Sequence, residues 1–256
     1  MKIFVIPPLE HLELAHMGDK CYYALAHLYY QHEHYRQFFK AAVKRGDFVT
    51  LDNSAAEKSL VTEDILIEIV KDLKPNEVIA PDILFDKDKT LAALKAFSKR
   101  LYLEGIKVDI FAVPQGKTQE EWLDCYQKML WNPEVAVIGL SKISVPYCWY
   151  DKAKKDTHIK EARNKCIKYL QRCNLIKKPI HCLGQGDFKE FGAYKNIPLI
   201  RSTDSCYPVL AAIKGIEYDK NFERVETYNG YFDTKMTEEQ TKRALWNILC
   251  LKRYTK

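Results

Sequence analysis

Apolar residues along this chain fall into two alternating kinds of run. The short, continuous ones are KIFVI (Lys2 to Ile6), DFVTL (Asp47 to Leu51), NEVIA (Asn76 to Ala80), KVDIFAV (Lys107 to Val113), VAVIGL (Val135 to Leu140), PIHCLG (Pro179 to Gly184) and IPLIRS (Ile197 to Ser202). Continuous runs of this length read as strands buried on both faces. Between them lie longer patterns of helical period. One is an aromatic-rich stretch from about Lys20 to Lys44. In TEDILIEIVKDL, Ile65, Leu66, Ile69 and Val70 share a helical face, and further on Leu91, Leu94, Phe97 and Leu101 recur at helical spacing. TQEEWLDCYQKML opens on Thr118 and Glu121, the S/T-x-x-E spacing of a capping box. A helix is predicted from about Thr157 to Cys173, and the C-terminal TEEQTKRALWNILCLKRY is amphipathic.

Strand-then-helix alternation predicts parallel strands joined by right-handed crossovers. An open doubly wound sheet and a closed (β/α)8 barrel both satisfy it. The chain contains no G-x-G-x-x-G and no P-loop, which removes the main support for a nucleotide-binding open sheet. The expected fold is therefore an α/β TIM-like barrel, a single catalytic domain over residues 1–256. Seven strands are visible, and the eighth is expected to be short and to lie between Glu217 and Phe232.

Composition narrows the picture only slightly. With 47% hydrophobic and 29% charged residues, the chain can bury a substantial core. No apolar run approaches the length of a membrane span, and MKIFVIPPLEHLE turns acidic too soon for a signal peptide. The eight cysteines (Cys21, Cys125, Cys148, Cys166, Cys173, Cys182, Cys206 and Cys250) include no C-x-x-C pair, so reduced thiols are expected and a cysteine zinc site is not. The net charge of +6 is compatible with a nucleic-acid partner without requiring one. Lysine-rich KAAVKR and DKAKKDTHIKEARNKCIKYLQR read first as solvated helix faces. The histidines of HLYYQHEHYRQFF lack a clean i, i+4 ligand pair, so a helix surface or partner contact is expected there, not a metal.

Polar residues gather where the strands end. The ends carry Asp52, Asn53 and Ser54; Pro81 and Asp82; Gln115 and Gly116; Gly139, Ser141 and Lys142; Gly184, Gln185 and Gly186; and Thr203, Asp204 and Ser205. Taken singly, each aspartate, asparagine or serine is explained as a cap of the helix that follows. Together, three aspartates and a glutamine would meet on one barrel rim, where like charge and desolvation make the grouping costly. Paired carboxylates suit substitution at an anomeric carbon, one attacking C1′ and the other moving the leaving group's proton. A third carboxylate and a glutamine could read a purine edge, since the N1–H and N2–H₂ of guanine need acceptors.

At these positions the sequence resembles the tRNA-guanine transglycosylase superfamily, and within it the compact, phage-encoded branch associated with 7-deazaguanine bases in DNA. CLGQGDFKEFGAYKNIPLIRSTDSCYP is similar to the family's L-G-x-G stretch followed by a helix, a strand and the nucleophilic aspartate, which implies Asp204 as nucleophile. VPQGKTQEEWLD resembles the family's Q-G segment and implies that Gln115 contacts the base. VIGLS resembles its glycine-rich strand end and implies backbone contacts from Gly139 and Leu140. IAPDILFD implies Asp82 at the guanine edge, and LDNSAAE implies Asp52 as general acid/base, with Asn53, Ser54 and Gly184 also at the substrate. The chain departs from the family in three places. Lys117 replaces a second glycine, D-S-G-G-F-Q is reduced to Asp52-Asn53-Ser54, and SCYP stands in place of P-T-R. The cysteine-rich zinc module of the tRNA enzymes has no counterpart in this sequence.

The resemblance implies exchange of guanine in a nucleic acid for a 7-deazaguanine such as preQ0 or preQ1, through a covalent aspartyl intermediate. DNA is favoured over tRNA because the zinc module is missing. No metal or organic cofactor and no membrane is implied, and the expected place is the cytoplasm, the host's for a phage-encoded chain. Tyr147, Trp149 and Tyr207 are candidates to stack on the base, with burial in the core as their plainer reading. Three alternatives stay open: the same exchange on tRNA, a nucleoside or glycoside hydrolase with these carboxylates, and a non-catalytic nucleic-acid-binding relative. The oligomeric state is open too.

Overall fold

The computed structural model describes residues 1–18, 20–55, 61–150, 159–186, 188–194, 196–218 and 228–255. Its elements run in chain order as β1 (Lys2–Val5), β2 (Cys21–Leu25), α1 (Ala26–Gln31), α2 (Glu33–Lys44), β3 (Phe48–Asp52), α3 (Glu63–Leu73), β4 (Glu77–Ile79) and α4 (Lys87–Leu103). There follow β5 (Asp109–Ala112), α5 (Gln119–Leu130), β6 (Val135–Leu140), α6 (Ser144–Trp149), α7 (Ile159–Arg172), β7 (Ile180–Cys182), α8 (Phe188–Tyr194), β8 (Ile200–Ser205), α9 (Tyr207–Ile213) and α10 (Glu238–Thr255). All eight strands form one sheet in the order β1-β8-β7-β6-β5-β4-β3-β2, and every ladder is parallel. The sheet curls until β1 and β2 lie against each other, making a nearly closed (β/α)8 barrel. The Phe4 ring, 5.9 Å from that of Tyr23, bridges the seam. Gly18 sits beside it, where a Cβ would stand 2.8 Å from the Ile3 carbonyl oxygen.

The expected eighth strand is misplaced. It is CYYAL at Cys21–Leu25, inside the aromatic stretch read as helix, and not a segment between Glu217 and Phe232. Of that segment, residues 219–227 lie outside the described residues, and Tyr231–Asp233 forms a single 3₁₀ turn. CYYAL and the following AHLYY make one unbroken apolar run, so periodicity does not mark where strand gives way to helix. The helical part is itself two pieces, α1 and α2, parted at His32, whose backbone is extended.

Helix starts follow local chemistry. Thr62, Asp86 and Thr118 accept hydrogen bonds from the N–H groups of Ile65, Lys89 and Glu121. The predicted box at Thr118 is only half reciprocal, because Glu121 accepts from Lys117 N–H. The lysine-rich α7 is not wholly a solvated face either. Arg163 is fully buried, paired with Glu190 at 2.6 Å, and donates to the carbonyls of Leu140 and Leu183. It thereby ties α7 and α8 to the upper ends of β6 and β7. Residues 151–158 of the same run lie outside the described residues. Among the described residues no helix is long and apolar enough to cross a membrane.

Inside the barrel, side chains stack in layers because alternate strand residues face the axis. At the bottom, Arg201 of β8 reaches across to Glu77 of β4, which also accepts from the Thr50 hydroxyl. In the middle, His181 of β7 touches Phe4 of β1, Tyr23 of β2 and Phe111 of β5, contacts that only the barrel interior allows. Two residues further along these four strands come Ile6, Leu25, Val113 and Leu183, which line one cavity together with Asp52, Ile79 and Asp204 of β3, β4 and β8.

Candidate active site

The cavity opens at the C-terminal mouth of the barrel and holds about 260 Å³. Six of the nine residues expected at the site line it: Asp52, Asn53, Asp82, Gln115, Gly184 and Asp204. The others sit behind. Gly139 lies one layer lower, facing the core; a Cβ there would stand 2.5 Å from the Phe111 ring and 2.9 Å from Leu183 Cδ1. Leu140 is fully buried, and its carbonyl accepts from Leu183 N–H and Arg163. From the end of β6 it is Ser141, Lys142 and Ile143 that line the cavity. Ser54 is buried with φ +59°, and supports the site without lining it.

Among the described residues, none of the three aspartates caps a helix. Thr62 caps α3 and Asp86 caps α4. At α9 it is Ser205 Oγ that accepts from Tyr207 N–H. Relieved of that duty, the aspartates are held by other groups. Asp204 is 6% exposed. Its Oδ1 accepts from Gly184 N–H at 2.8 Å and lies 3.0 Å from His181 Nε2, while none of the described residues bonds Oδ2. Burial pushes its carboxyl up, but the hydrogen bond from His181, the Gly184 N–H and nearby Lys142 pull it down, leaving Asp204 below the ordinary carboxylate range. Gly184 has φ +62°, and a Cβ there would stand 2.5 Å from Lys142 Cδ, so this lysine lies directly over it. Lys142 is the one cation among the described lining residues.

Asp52, at the end of β3, accepts from the Tyr23 hydroxyl at 2.7 Å through Oδ2 and from Ser54 N–H at 2.6 Å through Oδ1. Ser54 is pinned in turn by His27, whose Nδ1 is 2.8 Å from its Oγ. Burial and the neighbouring His32 hold that imidazole below its ordinary pKa. Asp82 forms the third corner. Asn53 donates to its Oδ1 at 2.8 Å and Gln115 to its Oδ2 at 2.6 Å. Desolvation raises its pKa against the pull of those two amides. Gln115, 1% exposed, is fixed from behind by Phe85 N–H at 3.2 Å. Asn53 also donates to the Ala80 carbonyl, so both amides have one orientation.

Of the stacking candidates, Tyr207 lines the cavity. Trp149 is core, packed on Trp122 and Tyr169. Tyr147 lies against Phe85, ring centroids 4.3 Å apart. No group of three or more His, Cys, Asp or Glu among the described residues could hold a metal ion.

Tyr23 and His181 were not legible as site residues in the sequence, and Lys142 was given no role there. Lys142 was visible at a strand end, but the other two lay inside runs read as a helix and as a plain strand. A polar ring at an inward position of a buried strand, such as His181 in IHCLG, is the signal that could have found them.

The arrangement offers an ionised carboxylate at the cavity wall with one oxygen that none of the described residues bonds, a second carboxylate held by a tyrosine, and a third braced by two amides. Compared with known proteins, no family model matches this chain, and no curated protein matches it.

Proposed function

We propose that this protein is a base-exchange transglycosylase that replaces guanine in a nucleic acid with a 7-deazaguanine. The observation that carries the reading is the convergence on one cavity of three carboxylates held by different partners. Asp204 has one oxygen that none of the described residues bonds and an ionised carboxyl suited to attack on C1′. As its bond to C1′ forms, the bond from C1′ to the guanine nitrogen breaks, and the departing nitrogen takes a proton. Asp52 carries that proton and later removes one from the incoming base. The new base then displaces Asp204 from C1′, restoring the carboxylate, with retention after two inversions. Asp82 serves as acceptor for the donor edge of the base, its two oxygens aimed by Asn53 and Gln115.

The cavity supports a base-sized occupant. At about 260 Å³ it falls just below the usual ligand-pocket range of roughly 300–1,000 Å³. The target nucleotide would therefore enter flipped out of any helical stack. The choice of DNA, and of preQ0 or preQ1 as the incoming base, rests on the resemblance to the compact branch of the transglycosylase superfamily.

The test offers labelled guanine or preQ0 to the purified protein with double-stranded DNA, single-stranded DNA or bulk tRNA, and uses Asp204→Asn as control. Incorporation into DNA that the variant loses is the expected result. Incorporation into tRNA would keep the chemistry and replace the substrate. Release of free base without incorporation would make the protein a hydrolase, and silence on every substrate would sink the catalytic reading.

A further inference from the structure

His181 is wholly buried in the barrel, 5.3 to 5.7 Å from the rings of Phe4, Tyr23 and Phe111. Both of its nitrogens are engaged. Nε2 lies 3.0 Å from Asp204 Oδ1, and Nδ1 lies 2.9 Å from Ser202 Oγ, two residues earlier on the same strand. Proton accounting selects one form of the ring. Asp204, ionised, can only accept, so Nε2 carries a hydrogen. The Ser202 hydroxyl has no other acceptor among the described residues, so its hydrogen goes to Nδ1, which must then be bare. A doubly protonated ring would leave that buried hydroxyl hydrogen without a partner, which a buried donor does not tolerate cheaply.

We propose that His181 is a positioning residue for Asp204, acting as a neutral Nε2–H donor. With the Gly184 N–H it holds Oδ1 and leaves Oδ2 as the only attacking atom. The proposal rests on the base-exchange reading. When Oδ2 bonds to C1′ and guanine leaves, Asp204 becomes an ester whose carbonyl oxygen is Oδ1, still facing the same two donors. When the incoming nitrogen bonds to C1′, the Oδ2–C1′ electron pair returns to the carboxylate, and the donors stabilise the charge as it reappears. His181 neither gains nor loses a proton in either half, unlike a general base.

The test combines turnover with histidine-labelled nitrogen NMR of the full chain. His181→Phe, which keeps a ring without the donor, is expected to lower kcat by about 100-fold with KM for the base unchanged. His181→Gln, which keeps an N–H at similar reach, is expected to stay within about 10-fold of the wild type. Ser202→Ala frees the tautomer and should lower kcat without moving KM, which covers the case of a phenylalanine variant that does not fold. The His181 ring should show a protonated Nε2 and a bare Nδ1 in the resting protein at neutral pH. Wild-type kcat in His181→Phe, equal losses in the Phe and Gln variants, or a doubly protonated ring at neutral pH would each overturn the proposal while base exchange itself stood. Absence of exchange in the wild type would instead overturn the base-exchange reading, and the role of Oδ2 with it.

Discussion

Tyr23 and His181 stack with ring centroids 5.7 Å apart and planes at 17°, and each hydrogen bonds one of two cavity carboxylates. Tyr23 donates to Asp52 and His181 faces Asp204, so one pair of rings on β2 and β7 sets the positions of both.

Tyr23→Phe keeps the stack and removes only the donor to Asp52. We expect proton transfer to suffer, with kcat falling about 10- to 100-fold, as for loss of a positioning partner. Circular dichroism and thermal midpoint should stay close to wild type. A variant with full kcat would show that the Tyr23 hydroxyl has no part in the chemistry.

The pH dependence separates Asp204 from Asp82. Asp204 is held below the ordinary carboxylate range and Asp82 above it. If both must be ionised, kcat/KM for the base should fall on the acid side at a pH above the ordinary Asp value of about 3.9, set by Asp82. The Asp204 limb should lie lower, and Lys142→Met should move it upward, since this lysine helps keep Asp204 ionised.

The same two groups act on stability with opposite signs. A depressed folded pKa contributes stability above the unfolded value, lost as pH falls through the folded one; a raised pKa weakens the fold above it and relieves it on protonation. The thermal midpoint of wild type relative to Asp204→Asn should therefore fall as the solution is acidified through the Asp204 range. A difference independent of pH would remove the assigned ionisation.

Gly139→Ala places a methyl within 3.0 Å of Phe111, Leu183 and Val113. Overpacking of this kind costs about 1–3 kcal/mol. Because Leu183 and Val113 also line the cavity, KM for the base should rise alongside the loss seen in denaturant unfolding. Unchanged stability would show that the barrel interior yields more easily than its packing implies.

Arg163→Met strands Glu190 in a fully buried site and frees the carbonyls of Leu140 and Leu183. Breaking a buried pair from one side costs about 3–5 kcal/mol. Chemical denaturation should show that loss, and Arg163→Met with Glu190→Leu should recover part of it.

Much of the fold was legible because parallel strands buried on both faces are written as short continuous apolar runs. The one error, CYYAL, came from a strand that runs into a helix with no polar residue or glycine between them. The site was legible for the same reason that caps are: polar residues follow strand ends. Yet the sequence could not separate helix caps from residues that line the cavity. Asp86 and Thr118 cap, whereas Asp52, Asp82 and Asp204 do not, though all five are short polar residues lying between an apolar run and the helix that follows.

What the sequence determined by itself is the alternation of elements, the parallel sheet this requires, and a rim bearing Asp52, Asp82, Gln115 and Asp204. Those features depend on local pattern and on the fixed period of a strand. What only the tertiary structure decided is which layer each inward residue occupies. Closure of the barrel brings β7 and β8 beside β1 and β2, sets Gly139 below the cavity, and places His181 between Asp204 and Ser202. Layer height depends on strand register and shear, which join residues far apart along the chain, and no local pattern encodes them.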